Sequence, residues 1–228
     1  MKSLRNLLRL FYPETCVYCE TYLLAQEKVL CLQCRFDLPL VENANYKENY
    51  TKQIFEGRVE IEKAASFLYY TPKGKTQQLI HDLKYRGNQQ IGTFIGEWFG
   101  QILYDSGHFH DIDCIVPVPL HKKRFKKRGY NQLTTFGRTL SRMLKVAYCE
   151  NVLERVSSDA TQTFKKRLER FSNIDSKFIV NKLSVLQGKH ILLIDDVVTT
   201  GATLEACCKE LLRIKNVKIS IVTIALTP

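Results

Sequence analysis

The spacing of apolar residues changes at Ile61. From there on, short apolar runs alternate with stretches in which apolar residues return every three or four positions. EKAASFLYY, rich in aromatic residues, predicts a strand. Gly74 to Tyr85 sets Leu79, Ile80 and Leu83 on one face and predicts a helix. KYRGN predicts a turn, and Gln89 to Tyr104 a second apolar helix. CIVPVPL, Cys114 to Leu120, predicts a short buried strand that ends at prolines, and Asn131 to Leu144 predicts a helix. KFIV and HILLID predict strands, Thr203 to Ile214 a helix, and VKISIVTIAL a final strand. Strands alternating with helices call for an α/β fold, with a mostly parallel central sheet flanked by helices on both faces.

Ahead of Ile61 the pattern is weaker. MKSLRNLLRLFYP has the spacing of a short amphipathic helix. Arg5, Asn6 and Arg9 interrupt its apolar run and no small-residue cleavage site follows, so it does not read as a signal peptide. The polar stretch ENANYKENYTKQIFEGRVE predicts a linker or a loosely packed segment. The expected division is a small N-terminal domain over residues 1–56 and a main domain over 57–228. A chain of 228 residues has room for one domain of about 150–200 residues and such an appendage.

Composition narrows the class. Hydrophobic residues make up 45% and aromatic residues 11%, as in a globular rather than a disordered chain. The formal net charge is +11, which favours a polyanionic ligand. Nucleic acid and phosphorylated metabolites fit better than an anionic membrane. No apolar run reaches about 18 residues, so no membrane span is predicted and the expected location is cytoplasmic. In a reducing compartment, the eight cysteines argue for metal binding or free thiols rather than disulfides.

The densest chemical signal is ILLIDDVVTTGATLEAC, Ile191 to Cys207. Four aliphatic residues lead into Asp195 and Asp196, and the chain then turns through hydroxyls and a glycine. The run HILLIDD predicts a central strand, and ligands of such sheets bind beyond the carboxyl ends of the strands. That expectation puts both aspartates at the strand's mouth. Val198, Thr199, Thr200, Gly201, Ala202 and Thr203 can wrap a phosphate. Backbone N–H groups and threonine hydroxyls would donate to its oxygens, Gly201 permits an unusual turn, and the following helix points its positive end at the anion. The carboxylates suit the vicinal hydroxyls of a sugar, so a ribose 5-phosphate matches both halves.

Ile191 to Thr203 resembles the phosphoribosyl-pyrophosphate (PRPP) motif of type I phosphoribosyltransferases. In that family hydrophobic residues, two acidic residues and a threonine/glycine phosphate loop occur in this order. The resemblance gives a role to PVPLHKKRFKKRGYNQ, Pro117 to Gln132, because the loop after this strand cradles pyrophosphate in the resembled fold. Pro119, Leu120 and His121 would form it, and Arg124, Arg128 and Lys84 would stabilise the leaving charge. Lys122 to Arg128 holds six basic residues within seven, which stays favourable only in water or beside an anion. Pyrophosphate, nucleic-acid phosphate and solvent are all open as its counterpart, and Phe125 could stack on a base. The related enzymes also carry a mobile loop over the stretch that here holds Gln162, Arg167, Arg170 and Asn173, which closes over PRPP and excludes water.

Cys16, Cys19, Cys31 and Cys34 form C-x2-C-x11-C-x2-C. Two such knuckles complete a tetrahedron around Zn²⁺ with no open position, which marks a structural metal. An iron–sulfur cluster and a redox dithiol are the alternatives. Cys114, Cys207 and Cys208 are expected in the core, and His108 and His110 in a surface turn.

Taken together these pieces resemble the ComF (competence protein F) family, amidophosphoribosyltransferase-like proteins of bacteria. The resemblance runs through the cysteines, LIHDLKYRG at Leu79 to Gly87, the PVPLH…RGYNQ signature, the Gln162 to Asn173 stretch and the PRPP loop. It implies a type I phosphoribosyltransferase fold with an N-terminal double zinc ribbon-like domain, a sheet of about five strands and a small hood. It implies PRPP with Mg²⁺ as ligand, single-stranded DNA and a competence helicase as partners, and a role in natural transformation. Two functions follow as expectations. One is a transferase that moves phosphoribosyl to a nitrogen nucleophile and releases pyrophosphate. The other is a non-catalytic single-stranded-DNA-binding factor in which PRPP is vestigial or regulatory.

Overall fold

The most continuous apolar run of the chain forms its central strand. The computed structural model describes residues 13–43, 45–156, 178–181 and 183–228. The first half holds α1 (Leu32–Phe36), α2 (Tyr50–Gln53), β1 (Ala64–Tyr69), α3 (Lys75–Tyr85), α4 (Gln90–Asp105) and β2 (Cys114–Pro117). The second half begins with α5 (Lys122–Arg128), α6 (Leu133–Leu144), β3 (Ala147–Tyr148), β4 (Leu153–Arg155) and β5 (Phe178–Val180). It closes with α7 (Leu183–Leu186), β6 (His190–Val198), α8 (Ala202–Leu211) and β7 (Lys218–Leu226).

Five strands make one sheet in the order β1-β7-β6-β2-β3, with every neighbouring pair parallel. β6 sits at its centre. Ile191, Leu192, Leu193 and Ile194 are all fully buried, although successive side chains point to opposite faces. Both faces are therefore covered, which is why the run shows no polar alternation. α6 packs on β2 and β6, α8 packs on β6, and α4 packs on α6. The α4–α6 crossing is close: a Cβ on Gly96 would lie 2.8 Å from Thr139 Cβ. Phe67 of β1 stacks on Phe99 of α4 at 5.0 Å between ring centres.

β4 and β5 pair antiparallel as a separate ribbon, Leu153 with Val180 and Arg155 with Phe178. They bracket residues 157–177, so Gln162, Arg167, Arg170 and Asn173 lie outside the described residues.

Three points differ from the sequence reading. HILLID continues as strand through Val198, so Asp195 and Asp196 lie within β6, beside β7, rather than at its mouth. The basic run after β2, to which the residue pattern assigns no element, is a helix, α5. The His121 side chain caps it by accepting from Lys123 N, and Gly129 ends it at φ +77°. Third, the polar segment after residue 41 is neither a linker nor loose. Its polar side chains satisfy the free edge of β1. Asn43 Nδ2 donates to Ser66 O at 2.8 Å and Asn49 Nδ2 to Ala64 O at 2.8 Å. Tyr46 O accepts from Ala64 N, and the Thr51 hydroxyl donates to Ser66 Oγ at 2.9 Å. An edge strand presents unpaired backbone groups, so residues able to bond them can be buried here. Phe55 is fully buried beside them.

Candidate functional site

The C-terminal ends of β2 and β6 lie side by side, and residues from α3, α5 and the turn before α6 meet there. Asp196 is buried and doubly held. Lys84 Nζ, from the last turn of α3, donates to Oδ1 at 2.7 Å, and Gln132 Nε2 donates to Oδ2 at 2.6 Å. Arg128 at the end of α5 donates to Gln132 Oε1 at 2.7 Å and lies over the Tyr85 ring at 4.8 Å. A chain of contacts thus runs from the basic helix through Gln132 to the acidic pair. The Tyr130 hydroxyl donates to Leu83 O at 2.7 Å, which fastens the end of α3 to this corner.

Asp195 faces a different balance. Burial first, and the Asp196 carboxylate second, push its carboxyl up, to about 8. The backbone N–H of Asp196 donates to Asp195 Oδ1 at 2.8 Å and opposes that rise. Such a carboxyl gains from any cation or hydroxyl brought beside it.

The loop after β6 exposes Thr199 and Thr200, then turns at Gly201, whose φ is +73°. Gly201 N-caps α8 without a side-chain bond, and Ala202 and Thr203 are exposed on its first turn. The glycine is needed twice over: a Cβ there would lie 2.7 Å from Ile54 Cγ2 and 2.9 Å from Phe55 Cε1. Arg58 reaches the same loop. Its Nη1 donates to Thr200 O at 2.6 Å and to Ile54 O at 3.0 Å, and its Nη2 pairs with Glu205 of α8.

The structure therefore brings Lys84, Asp195, Asp196 and Arg128 to one corner, with the loop from Val198 to Thr203 at the end of the same strand. Pro119, Leu120 and His121 follow the C-terminal end of β2, and Arg124 lies on α5 among exposed cations. No side chain of α5 is buried, and Phe125 is half exposed. Two participants had no signal in residue spacing. Gln132 ends the RGYNQ run but is paired with Asp196 only by the fold. Arg58 lies in the polar segment and meets the loop 142 positions away. A separate groove of about 870 Å³, lined by Val17, Leu23, Glu27, Phe94 and Glu97 among others, holds none of these residues.

The four N-terminal cysteines converge. Their sulfurs all lie within 4.8 Å of one another, and Cys19 Sγ is 3.6 Å from Cys31 Sγ. Tetrahedral zinc with Zn–S bonds of about 2.3 Å requires sulfurs about 3.8 Å apart, so the cluster can hold a zinc ion. Cys16 and Cys34 are buried and Cys19 is exposed. Hydrogen bonding with Thr21 lowers Cys19 to about 6, which favours a thiolate. Burial raises Cys34, which a bound cation would reverse. Cys114, Cys207 and Cys208 are buried, and His108 and His110 are exposed, as expected.

The phosphoribosyl transferase domain family matches residues 134–228, which contain β6, the acidic pair and the loop. A DNA utilization protein YhgH of Escherichia coli K12 is 33% identical over 141 residues, 59% of this chain and 60% of that protein. Competence protein F of Haemophilus influenzae is 29% identical over 135 residues, 58% of this chain and 59% of its own. The chain is thus similar to DNA utilization and competence proteins over about three fifths of its length. Competence protein ComFC of Bacillus subtilis is 30% identical, over 63% of this chain and 56% of its own length. The matches thus span about 60% of these relatives. Among solved structures, the glutamine PRPP amidotransferase of B. subtilis aligns with a TM-score of 0.41 at 12% identity, over 62% of this chain and 30% of that one. Adenine phosphoribosyltransferase of Saccharomyces cerevisiae aligns with a TM-score of 0.36 at 17% identity, over 63% and 72%. Residues 134–228 thus match a phosphoribosyl transferase domain, the five-stranded sheet is parallel and flanked by helices, and four cysteines cluster near the N-terminus. Among the described residues no helix is long and apolar enough to cross a membrane.

Proposed function

We propose that this site binds PRPP or a related ribose 5-phosphate, and that the protein transfers phosphoribosyl to a nitrogen nucleophile. The observation that carries the reading is the placement of Asp195 and Asp196 on the strand that runs directly into the Thr199–Thr203 loop. The loop anchors the 5-phosphate with N–H groups and threonine hydroxyls. Asp195 and Asp196 accept hydrogen bonds from the ribose diol and hold the sugar for cleavage at C1. Pyrophosphate leaves with negative charge, and Lys84, Arg124 and Arg128, with the chain around Pro119, Leu120 and His121, stabilise that charge as it develops. The donor set suits magnesium, which binds through one or two carboxylates together with substrate phosphates. When bound it would neutralise the leaving pyrophosphate. The stretch holding Gln162, Arg167, Arg170 and Asn173 serves in this reading to exclude water.

Isothermal titration of PRPP with Mg²⁺ tests the reading. Wild type binds, and an Asp195→Asn/Asp196→Asn variant binds at least tenfold more weakly, as expected when about 1.4 kcal/mol or more of binding is lost. Equal affinity for both proteins would refute the site.

A second reading rests on α5, which presents six cations and a half-exposed Phe125 with no buried residue. Such a surface suits single-stranded nucleic acid. The relatives named DNA utilization protein and competence protein support a role in DNA handling; in this reading the protein is cytoplasmic, single-stranded DNA and a competence helicase are its partners, and PRPP regulates rather than reacts. Charge removal over Lys122 to Arg128 lowers the salt dependence of single-strand binding in this reading, and an unchanged slope excludes the patch.

A further inference from the structure

We infer that Arg58 is a positioning residue for the phosphate loop, an element of the site contributed by the segment that precedes the sheet. The inference rests on the ribose 5-phosphate reading above.

Three observations converge on this arginine. Its Nη1 holds two carbonyls, Thr200 O and Ile54 O, at 2.6 and 3.0 Å. The carbonyl of Thr200 and the N–H of Gly201 belong to one peptide unit, and in a trans peptide they point in opposite directions. Arg58 draws the carbonyl toward α2 and Phe55, and so aims the Gly201 N–H the other way, toward the open side where Thr199 and Thr200 are exposed. The second observation is the charge balance at the start of α8. Glu205 stands on the first turn of that helix, where an uncompensated carboxylate would repel a phosphate. Lys209 pairs with it at 2.6 Å and Arg58 pairs with it through Nη2. Both cations hold the Glu205 carboxyl below its ordinary range, with Lys209 the larger cause. The third is steric. Ile54 and Phe55, which flank the loop with Arg58, leave no room for any side chain at position 201. The loop is thus clamped from behind by one short segment, in the conformation that presents its N–H groups. A planar guanidinium can hold two carbonyls and a carboxylate together, which a lysine ammonium at the same place cannot match.

Titration with ribose 5-phosphate and, separately, with inorganic pyrophosphate tests the assignment on wild type, Arg58→Gln and Arg58→Lys. Arg58→Gln should weaken ribose 5-phosphate by about tenfold, the loss expected of one charged hydrogen bond, while pyrophosphate stays within about twofold. Arg58→Lys keeps the charge beside Glu205 but loses the fork, and should remain within about threefold of Arg58→Gln. Amide hydrogen exchange over residues 199–203 in the ligand-free proteins gives a reading that needs no ligand, and should be faster in both variants. Unchanged ribose 5-phosphate affinity in Arg58→Gln, equal loss for both ligands, or full recovery in Arg58→Lys would overturn the role. If wild type binds neither compound, the ribose 5-phosphate reading fails. Unchanged exchange in Arg58→Gln then overturns the clamp on its own.

Discussion

Replacing Lys84 by methionine isolates the cost of holding the Asp196 carboxylate buried. The pair meets at 2.7 Å, with the Asp196 side chain 8% exposed and that of Lys84 21% exposed. At an effective dielectric of about 20, two unit charges at that distance attract by about 6 kcal/mol, most of which offsets the desolvation of both groups. Removing the cation leaves the carboxylate buried, and breaking a buried pair this way costs about 3–5 kcal/mol. Gln132 keeps one hydrogen bond to Oδ2 and Lys84 is partly solvated, so the lower end, about 3 kcal/mol, is expected. For a chain of 228 residues that is a fall in Tm of about 6–12 °C. The assay is thermal unfolding in zinc-replete buffer of wild type, Lys84→Met, Asp196→Asn and the double variant. The double variant should recover at least half of the loss, because the uncompensated charge is gone. A fall below about 1 °C in Lys84→Met, or no recovery in the double variant, refutes an ion pair that matters to the fold.

Gly201→Ala should lose about 2–4 kcal/mol and weaken ribose 5-phosphate binding, since alanine at φ +73° is strained and its Cβ meets Ile54 and Phe55; urea titration measures it. The cysteine cluster should retain about one zinc per chain by metallochromic assay, and Cys34→Ser should lose it while speeding hydrogen exchange near the cysteines more than in β6. His190 should make stability depend on pH. It accepts from Ser220 or donates to it at 2.9 Å, faces Asp111 at 3.2 Å, and has Lys63 and Glu62 nearby. Burial lowers its folded pKa against the opposing pull of Asp111, so the unfolded chain takes up the proton first. The stabilisation is complete above about pH 6.5 and is lost as pH falls toward the folded value. Denaturation from pH 7.5 to 5 should show stability falling in wild type and a flatter profile in His190→Gln; parallel profiles refute it.

The local chemistry of this protein is legible in residue order because it rests on neighbours. HILLIDD marks a strand buried on both faces, since an aliphatic run of that density has no solvated side to offer. TTGAT marks a loop that needs a left-handed glycine, and the two C-x2-C pairs fix their own knuckles by spacing alone. What tertiary structure decided lies between segments. Strand pairing with β7 carries β6 past the aspartates, and no local preference sets where a ladder stops. The segment from Asn43 to Arg58 looks like a linker because its side chains are polar, yet those side chains bond the backbone of an edge strand. Gln132 belongs to the site because the parallel sheet brings the ends of β2 and β6 to one edge, and Arg58 because the segment before β1 folds against the loop after β6. Periodicity reports which face of an element is buried; it carries no information on what that face will meet.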